Sequence, residues 1–527
     1  MKKYLFLFSL ILIISCSNSS VATDTSLDSK QESDIQYQQA EAEAKIEAKI
    51  EAKTEAEAKI KIEAKAEVEA KIEAEAKIEA EAKAEVEAKV EVEAKVEAEV
   101  EAKVEAEAKT EAEAKTEAKP TPSPKPFPIN VPFTLDFSPS EQYEKFSTVT
   151  QQTFQSAVKV NFDKAYEKAG VSAAVFDGTR LWAGAEGKAS STDKITPTTP
   201  MIIRSTSKTI LGALMISQID RGLYSLDDTV ESLLSSHPDY PLINIPNVNT
   251  QVTVKQLLTM TSGISDWSKP ADFMRRISIM QDQNWKPANN LKQITSKFTI
   301  PGSYNYSYAN SILLGLIASH LEKKDLNDIY QEQFFKPLGI TAGLLPEIAM
   351  PEQLAIGHDD LSLYQAGTGF GALNTGLMGQ FHDLDTKISW AGAGIVSTPE
   401  NVARWGYELY SPSGSAVSAE VRNKLIQGMT VPTDPGLTSL GMHTYGYYMG
   451  TDEVALPDGS LLKVYTHPGG GGGRTSWLYY SPELNVSISL LANSQMLHNP
   501  GSCEHRGYVF MTIGECMAGE IFNALKK

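Results

Sequence analysis

The 527-residue sequence is poor in the residues that build metal centres and disulfide frameworks. It contains three cysteines and eight histidines, and no His/Cys cluster has the spacing of zinc ligands. We therefore expect neither a metal nor a cofactor, and a fold stapled by many disulfides is excluded. Cys503 and Cys516 are the only cysteines near the C-terminus, and the sequence leaves open whether they pair.

Basic charge is also scarce. The chain has 48 Lys and Arg against 66 Asp and Glu, for a formal net charge of −18, so nothing indicates a nucleic-acid partner. The apolar run at the N-terminus, from Tyr4 to Ile14, is too short to span a bilayer. Two common hydrolase signatures, Gly-x-Ser-x-Gly and His-Glu-x-x-His, are missing as well.

The N-terminus has the pattern of an export signal. Lys2 and Lys3 precede the apolar run, and Ile14-Ser15-Cys16 follows it, which is typical of a cleavable signal peptide. The last residues resemble a lipobox, in which the cysteine receives the lipid. We predict a signal peptide at 1–15, a lipid on Cys16 and a polar tether at 16–40, so the protein would be held on the periplasmic or cell-surface face of a membrane. An ordinary signal peptide with a chance cysteine is the alternative.

A low-complexity segment covers residues 41–119. Every odd position is Glu or Lys and every even position is Ala, Val, Ile or Thr. Its 25 Glu and 15 Lys contribute −10 of the net −18, so the remainder is only mildly acidic. Glu often precedes Lys by four residues, which favours helix, but alternation gives a helix no apolar face. We predict a solvated, partly helical spacer; a coiled-coil rod would need heptads. A proline-rich linker at 120–137 follows.

The rest of the chain, 138–527, has the pattern of one α+β domain. A helix is predicted from Ser140 to Lys168, and a hairpin follows around Asp177-Gly178. The middle of the domain is rich in helical patterns. Strands at 463–466, 476–480 and 486–492 and a last helix reaching Leu525 close the chain.

Ser-x-x-Lys is the motif that carries chemistry, although it is weak alone and occurs three times. Ser156–Lys159 lies inside a predicted surface helix, and Ser191–Lys194 lies in a polar loop. Ser205–Lys208 follows an apolar strand and opens a helix. A serine there lies beside unpaired backbone N–H groups, and the i, i+3 spacing places the lysine on the same face. A desolvated, neutral lysine can accept the proton of the hydroxyl group.

Two further motifs follow in order. Tyr308-Ala309-Asn310 comes after Pro301-Gly302, and His467-Pro468-Gly469 ends a predicted strand. Serine-lysine, Tyr-x-Asn and His-x-Gly in this order resemble the motifs of class C β-lactamases, DD-carboxypeptidases and related esterases. The resemblance covers roughly residues 140–527. It implies an antiparallel sheet flanked by N- and C-terminal helices, together with an all-helical region.

The resemblance also implies roles for these residues. Ser205 would attack the carbonyl carbon, while Lys208 and Tyr308 would share the acid and base steps. Asn310 would orient the lysine and the substrate amide. The backbone N–H groups of Ser205 and Gly470 would form the oxyanion hole.

The last motif departs from the pattern of the β-lactamases. His467 stands where many of them have lysine, and Pro468 stands where many have a hydroxyl residue. Both changes remove donors to a substrate carboxylate, and Arg474 is the residue that would replace them. Gly469 would let the substrate approach the backbone.

The expected function is a serine hydrolase that acts on amides or esters. D-alanyl-D-alanine carboxypeptidase-like activity, or hydrolysis of D-amino acid peptides such as those of peptidoglycan, is the leading interpretation. A carboxylesterase and a class C-like β-lactamase are the alternatives within the family. A non-catalytic wall-binding lipoprotein is the alternative outside it. The oligomeric state stays open.

Overall fold

The computed structural model describes residues 135–140, 142–165, 169–190, 192–266, 279, 282, 284–357, 387–388, 390–433, 442–471, 473–494 and 513–526. The chain divides into two units, residues 1–125 and 126–527, and every described residue belongs to the second. Several sequence predictions concern residues outside this range: the signal peptide, the lipid on Cys16 and the spacer stay predictions. Ser191 and Cys503 also lie outside the described residues. Cys516 is disulfide-bonded. Leu135 and Phe137, inside the predicted linker, already pack on the domain.

The helices of the described part are mostly short. They are α1 (Thr148–Lys164), α2 (Lys208–Asp220), α3 (Val230–Leu234), α4 (Tyr240–Ile243), α5 (Val254–Leu258), α6 (Tyr308–Glu322), α7 (Leu326–Tyr330), α8 (Lys336–Leu338), α9 (Pro399–Tyr410), α10 (Ala419–Gln427) and α11 (Ile513–Leu525). Two tighter 3₁₀ turns lie at Arg204–Ser207 and Pro287–Gln293, and one wider π turn lies at Gln331–Phe335. The first helix begins later than predicted because the side chain of Ser147 caps it at the amide of Thr150.

The strands form two sheets. They are β1 (Gly170–Phe176), β2 (Leu181–Gly187), β3 (Met201–Ile202), β4 (Ala342–Leu344), β5 (Ile395–Ser397), β6 (Val431–Pro432), β7 (Thr444–Gly446), β8 (Met449–Ala455), β9 (Leu461–Thr466), β10 (Gly469–Gly471), β11 (Arg474–Ser481) and β12 (Val486–Ala492). The large sheet has the order β2-β1-β12-β11-β9-β8-β7-β6, with β10 paired only to β11. All of its pairs are antiparallel. The small sheet has the order β3-β5-β4.

Alternation along the central strands explains why the large sheet lies between helices. Val171, Ala173 and Val175 of β1 face one apolar cluster, which includes residues of α1 and α11. Ala174 and Phe176 face the other cluster, which includes the helical region. Successive side chains of a strand point to opposite faces, so a strand with apolar side chains on both faces must be covered on both. This is the predicted α+β arrangement, and the hairpin, the three late strands and the last helix are confirmed.

The small sheet positions the start of α2. Its strand β5 pairs with β3, and the backbone N–H of Ile203 also donates to the carbonyl of Ile395 at 2.9 Å. The N–H of Ile395 donates to the Ser207 hydroxyl at 3.2 Å. The 3₁₀ turn that carries Ser205 is therefore bonded to this sheet at both ends.

The described residues contain neither a candidate membrane span nor a candidate metal site. None of the helices described there is long and apolar enough to cross a membrane. The same residues contain no group of three or more His, Cys, Asp or Glu side chains that could hold a metal ion.

Candidate active site

Ser205 lies in the 3₁₀ turn before α2 and is 3% exposed. The turn is fastened to the large sheet through Thr206, whose hydroxyl donates to the carbonyl of His467 at 2.8 Å. The same hydroxyl lies 2.8 Å from the hydroxyl of Ser476 in β11. The nucleophile candidate is thus held between the helical region and the sheet, as a rigid site requires.

Lys208 is the first residue of α2, and its side chain is fully buried. Its Nζ lies 3.1 Å from Ser205 Oγ and 2.8 Å from the carbonyl oxygen of Gly392, to which it donates. Burial lowers the pKa of Lys208 well below its usual value; the charge of Asp266 opposes this in part, and the charge of Arg204 adds a smaller lowering effect. A lysine in this environment can be neutral and can accept a proton from the serine.

Two tyrosines reach Ser205, and the nearer one is not the one predicted. Tyr306 Oη donates to Ser205 Oγ at 2.9 Å, whereas Tyr308 Oη lies at 3.4 Å. Lys208 Nζ lies over both rings, 5.0 Å and 4.3 Å from their centroids. Burial raises the pKa of Tyr306 well above its usual value, so this phenol keeps its proton. Tyr306 was missed because Tyr308 matched the Tyr-x-Asn pattern; its place just before the helix was the available signal.

Asn310 does not meet Lys208 in this structure. Its side chain is fully buried in α6, where Oδ1 accepts a hydrogen bond from Ser262 Oγ at 2.7 Å. Its Nδ2 lies 3.1 Å from the sulfur of Met260. The predicted role of orienting the lysine is therefore not supported, because these contacts turn the amide toward the segment after α5. Asn310 instead fastens that segment to α6.

The glycines of β10 pass directly across from the nucleophile. A Cβ on Gly469 would lie 2.7 Å from the backbone nitrogen of Ser205 and 2.5 Å from Ser476 Oγ, so only glycine fits there. A Cβ on Gly470 would meet nothing within 4 Å. Open space therefore lies beside Gly470, where the oxyanion hole was predicted, and a substrate can approach the backbone at that point.

His467 is fully buried, and its two ring nitrogens are both engaged inside the protein. Nδ1 lies 2.8 Å from the carbonyl oxygen of Pro468, which can only accept, so Nδ1 carries the proton. Nε2 then accepts a hydrogen bond from Tyr445 Oη, 3.1 Å away. Burial is the main cause that lowers the pKa of His467 to about 3, and Lys208 acts in the same direction when it is protonated. The ring is therefore neutral, and as held here it offers no donor to a substrate carboxylate.

Arg474 begins β11 opposite Gly471 and is 3% exposed. Its Nη2 donates to the carbonyl of Ala355 at 3.2 Å. The predicted contact of this side chain with a substrate carboxylate stays a prediction.

Comparison with known proteins gives one distant sequence relative and two solved structures of low sequence identity. Protein flp of Staphylococcus aureus (strain NCTC 8325 / PS 47) is 23% identical over 320 residues, which are 59% of this chain and 56% of that protein. The chain thus spans little more than half the length of the curated relatives it matches. The D-amino acid amidase from Ochrobactrum anthropi SV3, solved with D-phenylalanine, is 17% identical, with a TM-score of 0.56 over 72% of this chain and 99% of that one. A D-stereospecific amidohydrolase from Streptomyces sp. has a TM-score of 0.49, with 19% identity over 66% and 94% of the two chains.

A family model, Beta-lactamase, matches residues 150–502. This range is well over half of the chain, and it includes Ser205, Lys208, both tyrosines and the glycines of β10. The resemblance inferred from the three motifs is thereby confirmed: the chain belongs to the beta-lactamase family.

Proposed function

We propose that this protein is a serine hydrolase that works through an acyl-enzyme on Ser205. One observation carries the proposal: the serine hydroxyl lies within hydrogen-bonding distance of a buried lysine of lowered pKa and of a protonated tyrosine. Nucleophile, base and acid are the three groups that acyl transfer requires. A pure binding protein has no need for this arrangement.

The two pKa shifts divide the proton transfers between the two residues. Neutral Lys208 accepts the proton of Ser205 as Oγ bonds to the carbonyl carbon and the carbonyl electrons move onto oxygen. The tetrahedral intermediate then collapses, the bond to the leaving group breaks, and Tyr306 gives its proton to that group. The lysine proton returns to the phenolate, and the same pair activates water for hydrolysis of the ester on Ser205.

The developing oxyanion is stabilised by backbone donors. Ser205 presents its N–H at the start of the turn, beside β10, and Gly470 borders open space. Removing one such donor costs about 10²–10³ in rate in enzymes of this kind. Since both groups are backbone, substitutions of side chains leave this contribution in place.

Amides of D-amino acids are the substrate class we propose first. The amidase that shares the fold at a TM-score of 0.56 is named for them. The neutral, internally bonded His467 also favours a substrate without a carboxylate beside the scissile bond. Cell-wall peptides contain D-amino acid amide bonds, so peptidoglycan fragments are the natural source to test. Activity as a D-alanyl-D-alanine carboxypeptidase ranks lower because that substrate ends in a carboxylate.

A substrate panel tests this ranking. We expect D-phenylalanine amide and a short-chain aryl ester to be turned over with kcat/KM values at least about tenfold above that for benzylpenicillin, the effect of one missing donor to a charged group. The kcat/KM value for a D-Ala-D-Ala peptide should lie between those two values and the value for benzylpenicillin. The Ser205→Ala variant is the control for uncatalysed hydrolysis. Efficient hydrolysis of benzylpenicillin, exceeding that of the ester, would contradict the ranking, and its loss in Arg474→Ala would identify the replacing donor.

Export and anchoring through Cys16 are proposed on the sequence pattern alone. We expect the Cys16→Ala variant to lose palmitate labelling and to leave the membrane fraction.

Deletion of residues 41–119 should keep turnover of small substrates within about twofold of the full chain, because that segment has no pattern of a core. The intact chain is the control for both variants. A large fall in turnover or in melting temperature would show that the spacer packs on the domain.

A further inference from the structure

Glu347 is a carboxylate near the site that the proposed mechanism does not use. It follows β4 by three residues and is partly buried. Its two oxygens each accept one N–H group: Oε1 from Trp390 Nε1 and Oε2 from the backbone of Asn327, both at 2.6 Å. Only the ionised carboxylate presents two oxygens that are purely acceptors.

Trp390 lies two residues before Gly392, whose carbonyl accepts the hydrogen bond from Lys208. Its indole is 1% exposed and packs on α6, where a Cβ on Gly315 would lie 2.8 Å from the ring. The φ angle of Trp390 is 21°, a positive value that residues other than glycine rarely adopt. A backbone of this kind persists only where its surroundings hold it, and the bond from the indole to Glu347 is such a restraint.

Two residues later, the carbonyl of Gly392 accepts the hydrogen bond from Lys208 Nζ at 2.8 Å. Gly392 packs closely against α6, since a Cβ at this position would lie 3.2 Å from Tyr308 and 3.1 Å from Ser311. The position of the Gly392 carbonyl is therefore restrained by the indole of Trp390 on one side and by Tyr308 and Ser311 of α6 on the other.

We propose that Glu347 is a positioning residue, which holds Trp390 and thereby the Gly392 carbonyl that keeps Lys208 on Ser205. The inference rests on the proposed function, because it needs Lys208 to be the base. Protonation of Glu347 removes one acceptor, so either the indole or the amide of Asn327 loses its bond. The carbonyl that aims Lys208 is then less restrained.

The groups around Glu347 set the pH at which its carboxyl loses its proton. The pKa of this carboxyl is raised to about 7, mainly by burial; the hydrogen bonds from Asn327 and Trp390 oppose the rise, and the charges of Asp325 and Asp328 contribute a smaller part of it. Tyr330 faces the carboxyl as well, and burial keeps the pKa of this phenol well above its usual value, so it adds no charge. The positioning effect should therefore be present above pH 7 and lost below it.

The test is the rate of labelling by a fluorophosphonate, measured on the full chain from pH 5 to pH 9. This probe needs no knowledge of the substrate. We expect Glu347→Gln and Trp390→Phe each to slow labelling at pH 8 by about tenfold, the size of effect that a small misplacement of a catalytic group produces. Each should lose the inflexion near pH 7, and the double variant should be no slower than either single variant.

Glu400→Gln is the matched control, because Glu400 is also a carboxylate of raised pKa, but it accepts from the backbone of Ser140 instead. It should label at the rate of the unaltered protein. Additive effects in the double variant, or an unchanged profile in Glu347→Gln, would overturn the inference. Trp390→Phe keeps the test decisive if Glu347→Gln fails to fold. Lys208→Ala separates the two claims: near-normal labelling there contradicts the proposed function itself.

Discussion

Replacing Ser205 with alanine is expected to abolish covalent labelling by a fluorophosphonate and all turnover of the ester and amide substrates. The variant removes the only oxygen that lies against both Lys208 and Tyr306 among the described residues. Loss of a nucleophile reduces rates by several orders of magnitude, about 10⁶ in well-studied serine hydrolases. Mass spectrometry of the labelled protein should place the adduct on the peptide that contains Ser205.

The other two Ser-x-x-Lys pairs serve as controls. Ser156 is exposed on α1, and its lysine, Lys159, is paired with Asp163 at 2.7 Å on the helix surface. Ser156→Ala and Ser191→Ala should label like the unaltered protein. Labelling that persists in Ser205→Ala would disprove the assignment, and it would revive the alternative of a wall-binding protein if no turnover is found in the intact chain.

Replacing Tyr306 with phenylalanine is expected to lower kcat by about 10²–10⁴, the usual contribution of a general acid or base. The change removes the hydroxyl that donates to Ser205 at 2.9 Å and leaves the ring in place. The melting temperature should change little, because the ring keeps its packing. Steady-state kinetics on the aryl ester would show a smaller loss than on an amide, since an ester leaving group needs less help from an acid.

Tyr308→Phe is the matched control for this prediction. Its hydroxyl is 3.4 Å from Ser205 Oγ, so we expect a loss of kcat below about tenfold. Equal losses in the two variants would mean that both phenols take part in proton transfer. A larger loss for Tyr308→Phe would restore the assignment made from the Tyr-x-Asn pattern and contradict the one made from distance.

The elements that local pattern determines were predictable from the sequence. Strands such as Val486–Ala492 are buried throughout because both faces are covered, and the hairpin turns at Asp177-Gly178, where Gly178 has a φ of 92°. The position of Ser205 before a helix distinguished it from the other two pairs. These signals need only neighbours in the chain, so one sequence carries them.

The tertiary structure decided which side chains meet the serine. Tyr304 and Tyr306 lie just before α6, and Tyr308 is the first residue of that helix, so their close spacing in the sequence cannot show which of them reaches the serine. The choice depends on where α6 begins relative to α2, which is a matter of packing over a separation of about a hundred residues. For the same reason Asn310 fitted a motif but bonds Ser262 instead.

The charge of His467 was likewise beyond local pattern. The sequence determined that an imidazole replaces lysine and that proline follows it. Only the structure shows Tyr445 of β7 donating to that ring, and the burial that is the main cause of a pKa of about 3. Sequence therefore determined the family, the order of the motifs and the nucleophile candidate. Packing between distant segments determined which tyrosine lies nearest the serine and which titratable groups are desolvated, because hydrogen bonds and desolvation depend on neighbours in space.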